Sequence, residues 1–340
     1  MKAYQIQTYG SLDGLVQTDL PEPPAPGPGQ IVVEVRAVSL NYRDLMIVLG
    51  SYGPGGEMPH GLIPLSDGAG EVVAAGEGVS RVSIGDRVAG TFFQTWIDGQ
   101  ILNVYQKSAL GGAINGLMSE YVLLSENGVV SLPDYLSYEE GASLPCAAVT
   151  AWNGLVEQGH LCAGQTVLLL GTGGVSMFAL QIAKMFGAHS IITSSSEEKL
   201  ARAKALGAAE TINYKADPDW EKTVWSLTGK VGADHVVEVG GPGTLEKSLQ
   251  AARQGGAIAQ IGVLSDPGAK ISPLPILRKS LHLNGIYVGS RAMFQRMLTA
   301  FTVNGVHPVI DRVFPFAEVR DAYAYLQSGA HFGKIVITAK

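Results

Sequence analysis

Apolar and polar positions follow two different periods along this chain. In residues 31–38, Val33, Val35 and Ala37 alternate with Glu34 and Arg36, the period of a strand with one buried face. Residues 71–78 read as a strand running into a turn, and residues 87–89 and 121–124 as further short strands. Frequent glycine between them, after a proline-rich extended loop at 21–29, predicts a barrel-like, mostly β domain over residues 1–124. From 125 to 287 strand and helix alternate instead. The apolar run 167–170 reads as a strand buried on both faces, and Val175, Phe178, Ala179, Ile182 and Phe186 then mark one buried helical face. Strands at 190–193, 211–212, 235–239, 257–262 and 281–288, with a helix at 197–206, predict an α/β domain with a doubly wound parallel sheet. Residues 288–340, with helices at 294–303 and 319–326 and a strand at 335–338, return to the first domain.

The junction at 171–175 carries candidate chemistry. Gly171, Thr172, Gly173, Gly174 and Val175 stand where a strand reverses into a helix, and glycine permits both positive φ and close approach of a ligand. The free N–H groups of the helix start form an anion site that fits a pyrophosphate. Read as G-x-G-x-x-G, the turn has Ser176 in the third place, small enough for close helix-to-strand packing. About 20 residues beyond such a turn, a carboxylate usually accepts from the ribose hydroxyls of NAD. Here Ser195 stands in that place, which removes repulsion against a 2′-phosphate and favours NADPH over NADH. Ser195 and Ser196 would donate to that phosphate and Lys199 would supply charge. The same segment also reads as a serine N-cap with glutamates in the first helical turn, and both readings hold at once.

Composition narrows the setting. A chain of 340 residues with 46% hydrophobic residues has room for two domains. A net charge of −6 without a long basic run argues against nucleic acid or an anionic membrane as partner. No apolar run has the length of a membrane span and no leader segment is expected. Only two cysteines, Cys146 and Cys162, argue against a disulfide framework and for a cytoplasmic setting.

Six stretches together resemble the medium-chain dehydrogenase/reductase superfamily: NYRDL from Asn41, PLSDGAGEVVAAGEGV from Pro64, IGDRV from Ile84, LPCAAVTAW from Leu144, LLGTGGVSMFALQIAK from Leu169 and HFGKIV from His331. The resemblance implies a GroES-like catalytic barrel interrupted by a Rossmann domain, with the active site in the cleft between them. The zinc-dependent alcohol dehydrogenases of that superfamily use a cysteine where this chain has Asn41, a histidine followed by glutamate where it has Ser66 and Asp67, and a ligand at Cys146. Catalytic zinc needs three protein ligands, so the chain is expected to hold no metal, as in the quinone oxidoreductase and enoyl reductase branches. The cysteine-rich lobe of structural zinc is missing as well.

The resemblance further implies that Thr150 lies against the nicotinamide, that Tyr214 meets the 2′-phosphate and that Lys334 lies near the pyrophosphate. Val263 and Ser290 fall on loops at the carboxyl ends of the fifth and sixth strands, with Arg291 beside them. Candidate catalytic residues are Asn41, Tyr42, Arg43, Asp44, Tyr52 and Asp67. Asp44 reads equally as a helix cap, Tyr42 and Tyr52 as packing residues, and Asp67 as a proton-relay carboxylate or the partner that orients Arg43. Cys146 reads as a small buried residue. The expectation is a zinc-independent reductase of quinones or activated alkenes that works with NADPH on a small-molecule substrate. A zinc-free alcohol or ketone dehydrogenase, and a non-catalytic NADPH-binding protein, remain as alternatives. A homodimer is expected through residues 271–277 and 281–288.

Overall fold

The computed structural model describes residues 1–52, 59–262 and 271–339. The chain divides into two compact units, Met1–Val149 with Gly289–Lys340, and Thr150–Val288.

The first unit opens on a two-stranded antiparallel ribbon, β1 (Lys2–Ile6) with β2 (Leu15–Asp19). It continues through β3 (Gln30–Leu40), β4 (Asp67–Ala75), β5 (Arg87–Gly90), β6 (Tyr121–Ser125) and β7 (Val129–Ser131). In the second unit the strands are β8 (Thr166–Leu170), β9 (His189–Ser194), β10 (Glu210–Asn213), β11 (Ala233–Glu238), β12 (Ala252–Gln260) and β13 (His282–Gly285). The chain then returns to the first unit with β14 (Ile310–Phe314) and β15 (Lys334–Thr338).

The first unit's main sheet has the order β14-β15-β3-β4-β5-β7, with β6 also pairing β3. The expected boundary at 125 is corrected by pairing. Strand β7 hydrogen-bonds to β5, so the segment after 125 continues the first unit's sheet. The expected alternation on β3 is also corrected, because Glu34 is buried. It forms an ion pair at 2.8 Å with Arg36, which also reaches Glu71 at 3.3 Å. The Arg36 guanidinium shared by Glu34 and Glu71 compensates the buried charge.

Register decides what gathers at one end of this sheet. Strands β4 and β15 both run antiparallel to β3, pairing Asp67 with Ser39 and Ile335 with Leu40. The start of β4, the start of β15 and the end of β3 therefore coincide. Immediately after β3 a short helix runs from Tyr42 to Val48, and its first turn is closed by the Asp44 carboxylate accepting from the Asn41 N–H at 2.8 Å.

The second unit is a wholly parallel sheet in the order β10-β9-β8-β11-β12-β13, the doubly wound arrangement read from the sequence. Its central strand β8 is buried from Val167 to Leu170. The helix Gly174–Met185 packs Met177, Phe178, Ala179, Leu180, Ile182 and Ala183 inward. Strand β12 begins at Ala252 and not near 257, because its first residue pairs with Ala233 across an irregularity in the β11 register. No helix among the described residues is long and apolar enough to cross a membrane.

Candidate functional site

In the first unit, the sheet end that joins β3, β4 and β15 carries a buried charged cluster. Lys334, only 2% exposed, donates from Nζ to the Leu40 carbonyl and to Asn41 Oδ1, each at 2.7 Å. Its ammonium lies 4.0 Å from Asp67 Oδ2. That carboxylate is fully buried and accepts from the Ser66 hydroxyl at 2.8 Å and from the Cys146 N–H at 3.0 Å. The resemblance implies that Lys334 lies near the pyrophosphate; in the structure its long side chain is threaded into the sheet end, where Asn41, Leu40 and Asp67 surround it.

Burial shifts Lys334, Cys146 and Asp44 toward their neutral forms. It lowers the Lys334 ammonium, while Asp67, Cys146 and Asp44 pull it back up. Burial, with Asp67 adding to it, pushes the Cys146 thiol far up, so the sulfur stays protonated. The Asp44 carboxyl rises to about 6, chiefly through burial, against the opposing charges of Arg43 and Lys334. Its Oδ2 caps the helix, the structural role weighed for it, while its Oδ1 makes no hydrogen bond among the described residues and lies 3.9 Å from Arg43 Nη1. Burial, with charge from Asp44 adding to it, raises the Tyr323 hydroxyl, which has no hydrogen-bond partner among the described residues. Nothing in the sequence singles out Tyr323. It sits in an ordinary amphipathic helix, Val319–Gln327, and reads there as a core aromatic.

The remaining catalytic candidates divide. Arg43 is buried, donates to the Leu110 carbonyl at 2.9 Å and lies over the rings of Phe92 and Tyr52 at 4.4 and 5.2 Å. Tyr42 points outward on the exposed side of the helix. A cavity of about 640 Å³ elsewhere in this unit, lined by Ile63, Thr95, Leu110, Asn115, Leu124 and Asn127 among others, contains none of the candidate residues.

In the second unit, Gly171 adopts φ +70°, a conformation that glycine supplies without strain. Gly173 precedes the helix in extended conformation, and Gly174 and Val175 begin it. The first-turn N–H groups have no carbonyl one turn back and so remain available to an anion. Thr172 is buried at the turn, and Ser176 donates to the Leu170 carbonyl at 2.6 Å, tying helix to strand where a third glycine would only allow approach. Across the neighbouring strand end, Tyr214 N–H donates to the Ser194 carbonyl at 3.1 Å, and Ser196 caps the helix Glu197–Ala205 by accepting from the Lys199 N–H. Ser195, Ser196, Lys199 and Tyr214 thus share the carboxyl edge of β9 and β10.

Thr150 is buried in a short helical stretch, Val149–Trp152, flanked by two π-helical turns, a device common near functional sites. Ser290 belongs to the first unit and is occupied as a cap, accepting from Met293 N–H at 3.2 Å. Arg291, in the same unit, donates to Asn127 Oδ1 at 2.8 Å. Val263 lies outside the described residues.

Comparison with known proteins finds two family domains, the second of which extends past the unit boundary at Val288. Residues 27–134 match the alcohol dehydrogenase GroES-like domain, and residues 174–304 the zinc-binding dehydrogenase domain. A zinc-type alcohol dehydrogenase-like protein of Schizosaccharomyces pombe is 44% identical over 91% of each chain. The chain belongs to the medium-chain dehydrogenase/reductase superfamily. As a medium-chain dehydrogenase/reductase it is an oxidoreductase. It is also similar to a Pseudomonas aeruginosa quinone oxidoreductase, 31% identical over 99% of each chain. Among solved structures, an NAD-dependent alcohol dehydrogenase is 34% identical and superposes with a TM-score of 0.90 over 99% of each chain.

Some medium-chain dehydrogenase/reductases hold catalytic zinc, so the donor set was tested against that ion. Asn41 Oδ1 already accepts from an ammonium and the Ser66 hydroxyl donates to Asp67, which leaves Cys146 as the one soft donor of the set. A buried cation within 4.0 Å of Asp67 adds repulsion against a second one. These residues do not fit a three-ligand zinc site. The glycine turn of this medium-chain dehydrogenase/reductase, by contrast, fits a dinucleotide pyrophosphate. An added Cβ at Gly171 would meet nothing within 4 Å, so the backbone there is open to close approach.

Proposed function

We propose that this chain is a zinc-independent, NADPH-dependent oxidoreductase that transfers a hydride to a quinone or to an α,β-unsaturated carbonyl compound. The observation that carries the reading is the pairing of Lys334 with Asn41 and Asp67. It supplies a fixed positive charge and an oriented amide where zinc ligands stand in relatives. A conjugated acceptor spreads the negative charge that develops on its oxygen, so hydrogen-bond donors suffice to stabilise it. An isolated ketone asks for stronger polarisation.

NADPH, when bound, supplies the hydride. The glycine turn from Gly171 to Val175 would hold its pyrophosphate, and Ser195, Ser196, Lys199 and Tyr214 its 2′-phosphate. The carboxyl edge formed by Ser194 and Tyr214 supports that choice, since the β9 end offers serines in place of a carboxylate. Thr150 remains proposed to lie against the nicotinamide. Arg43 and Tyr52 would shape the acceptor site. Asp67 serves as a counter-charge to Lys334, 4.0 Å away, while its oxygens accept from the Ser66 hydroxyl and the Cys146 N–H, so the final proton comes from solvent. The edge strand β13, with Leu283 exposed on it, supports a homodimer, and the cytoplasmic setting rests on the two cysteines alone.

The test is cofactor titration by intrinsic fluorescence followed by NADPH oxidation with quinones, enones and simple ketones, on protein analysed for metal. Oxidation with quinones or enones is expected. The likeness to an NAD-dependent alcohol dehydrogenase favours a second reading, a zinc-free alcohol or ketone dehydrogenase. Turnover of saturated ketones without turnover of enones would select it. Tight NADPH binding with no turnover on any acceptor would select the non-catalytic binder.

A further inference from the structure

We propose that Lys334 is the positioning residue that sets the Asn41 amide, so that Asn41 Nδ2–H is the donor to the carbonyl oxygen of the hydride acceptor. The proposal rests on the oxidoreductase reading above. An ammonium has three donors and no acceptor. Its 2.7 Å contact with Asn41 therefore selects one of the two amide orientations, with Oδ1 toward Lys334 and Nδ2 away from it.

The rest of the geometry holds this orientation. The Asn41 backbone N–H is fixed by Asp44 Oδ2 at 2.8 Å, and the Leu40 carbonyl takes a second ammonium proton. Asp67, itself held by Ser66 and the Cys146 N–H, keeps a counter-charge 4.0 Å from the ammonium. What is left over is Asn41 Nδ2, buried and without a hydrogen-bond partner among the described residues. Burying an amide donor without a partner is unfavourable, which is accounted for if a ligand oxygen completes it.

The chemistry balances. Hydride adds to the β carbon or ring carbon, the π pair of the acceptor shifts onto its oxygen, and that oxygen becomes anionic. Nδ2–H donates to the oxygen, and the ammonium bonded to Oδ1 polarises the amide and strengthens that donor. Solvent then supplies the proton that completes reduction, leaving the cofactor oxidised by two electrons. Lys334 touches no reacting atom and acts through Asn41.

The experiment compares wild type with Lys334→Met, Lys334→Gln, Asn41→Ala and the Lys334→Met/Asn41→Ala double variant. It reads kcat, KM and the Kd for NADPH. Lys334→Met is expected to lower kcat by about 100-fold, the scale of one lost oxyanion donor, with the NADPH Kd changed less than about twofold. The double variant is expected to be no worse than the worse single variant, as for two residues acting through one contact. Lys334→Gln retains an N–H donor to Oδ1 and is expected to recover part of the loss. A raised NADPH Kd with kcat preserved, or additive losses in the double variant, would overturn the proposal and return Lys334 to the pyrophosphate. A second measurement needs no turnover: the side-chain amide resonance of Asn41, assigned by its loss in Asn41→Ala, should move in Lys334→Met. An unmoved resonance refutes the positioning role, whereas a moved resonance in a protein inactive on every acceptor leaves the positioning intact and refutes only the substrate reading. If Lys334→Met does not fold, Lys334→Gln and Asn41→Ala carry the same comparison.

Discussion

Lys334 Nζ and Asn41 Oδ1 lie 2.7 Å apart although 293 residues separate them along the chain. A buried ammonium thus stands beside residues that the family resemblance sets at zinc-ligand positions. Purified protein is expected to contain well under one zinc per chain, and a chelator is expected to leave NADPH-dependent turnover unchanged. Elemental analysis checks the first and assay after dialysis the second. Stoichiometric zinc would refute the assignment of Lys334 as the cation of this site.

Asp44 should make stability depend on pH. Burial first, and Asp67 second, raise its folded-state pKa to about 6 from 3.8, so the native chain keeps a proton that the unfolded chain has released between those values. Stability attributable to this group therefore falls as pH rises from about 4 to about 6, by a total on the order of 3 kcal/mol. Asp44→Asn keeps an acceptor for the Asn41 N–H and removes the charge. Denaturant unfolding should show Asp44→Asn more stable than wild type at neutral pH and close to it at the acid end. An unchanged pH slope would show that the carboxyl does not titrate in this window.

Cofactor choice is expected to follow Ser195. Ser195→Asp places a carboxylate at the edge shared with Tyr214 and should shift the ratio of kcat/KM for NADPH over NADH toward NADH by about tenfold or more through repulsion of the 2′-phosphate. Paired steady-state assays with the two cofactors measure the ratio. No shift would mean that the phosphate, if bound at all, lies elsewhere.

Ser176 offers a test of the glycine turn's support. Its hydroxyl donates to the Leu170 carbonyl at 2.6 Å in a buried position, so Ser176→Ala should cost about 1 kcal/mol of stability. Gly171→Ala should also cost about 1 kcal/mol, but from backbone strain, since φ is +70° and no atom obstructs the added methyl. Urea midpoints separate both from wild type. Gly171→Ala should in addition weaken NADPH binding, because the methyl would stand on the backbone proposed to hold the pyrophosphate.

Leu277, 77% exposed in the helix Leu274–Lys279, and Leu283, 39% exposed within β13, lie in the segments proposed for the dimer contact. Leu277→Glu with Leu283→Lys is expected to yield a monomer by sedimentation where wild type sediments as a dimer. A wild-type monomer would end the homodimer proposal.

The sequence alone determined the elements whose signals are local. The buried strand, glycine turn and amphipathic helix at 166–186 declare themselves through periodicity and glycine placement, and so does the strand–helix alternation that yields a parallel sheet. Asn41, Asp44 and Asp67 were also visible as candidates, through short motifs. What only the tertiary structure decided is who meets whom. Pairing register is a property of two strands and not of either one, so no periodicity around Lys334 reveals that β15 lies antiparallel to β3 with Ile335 opposite Leu40. That register brings the ammonium to Asn41. The burial of Glu34 and the continuation of the first unit past 125 come from the same cause, strands that find their neighbours far along the chain.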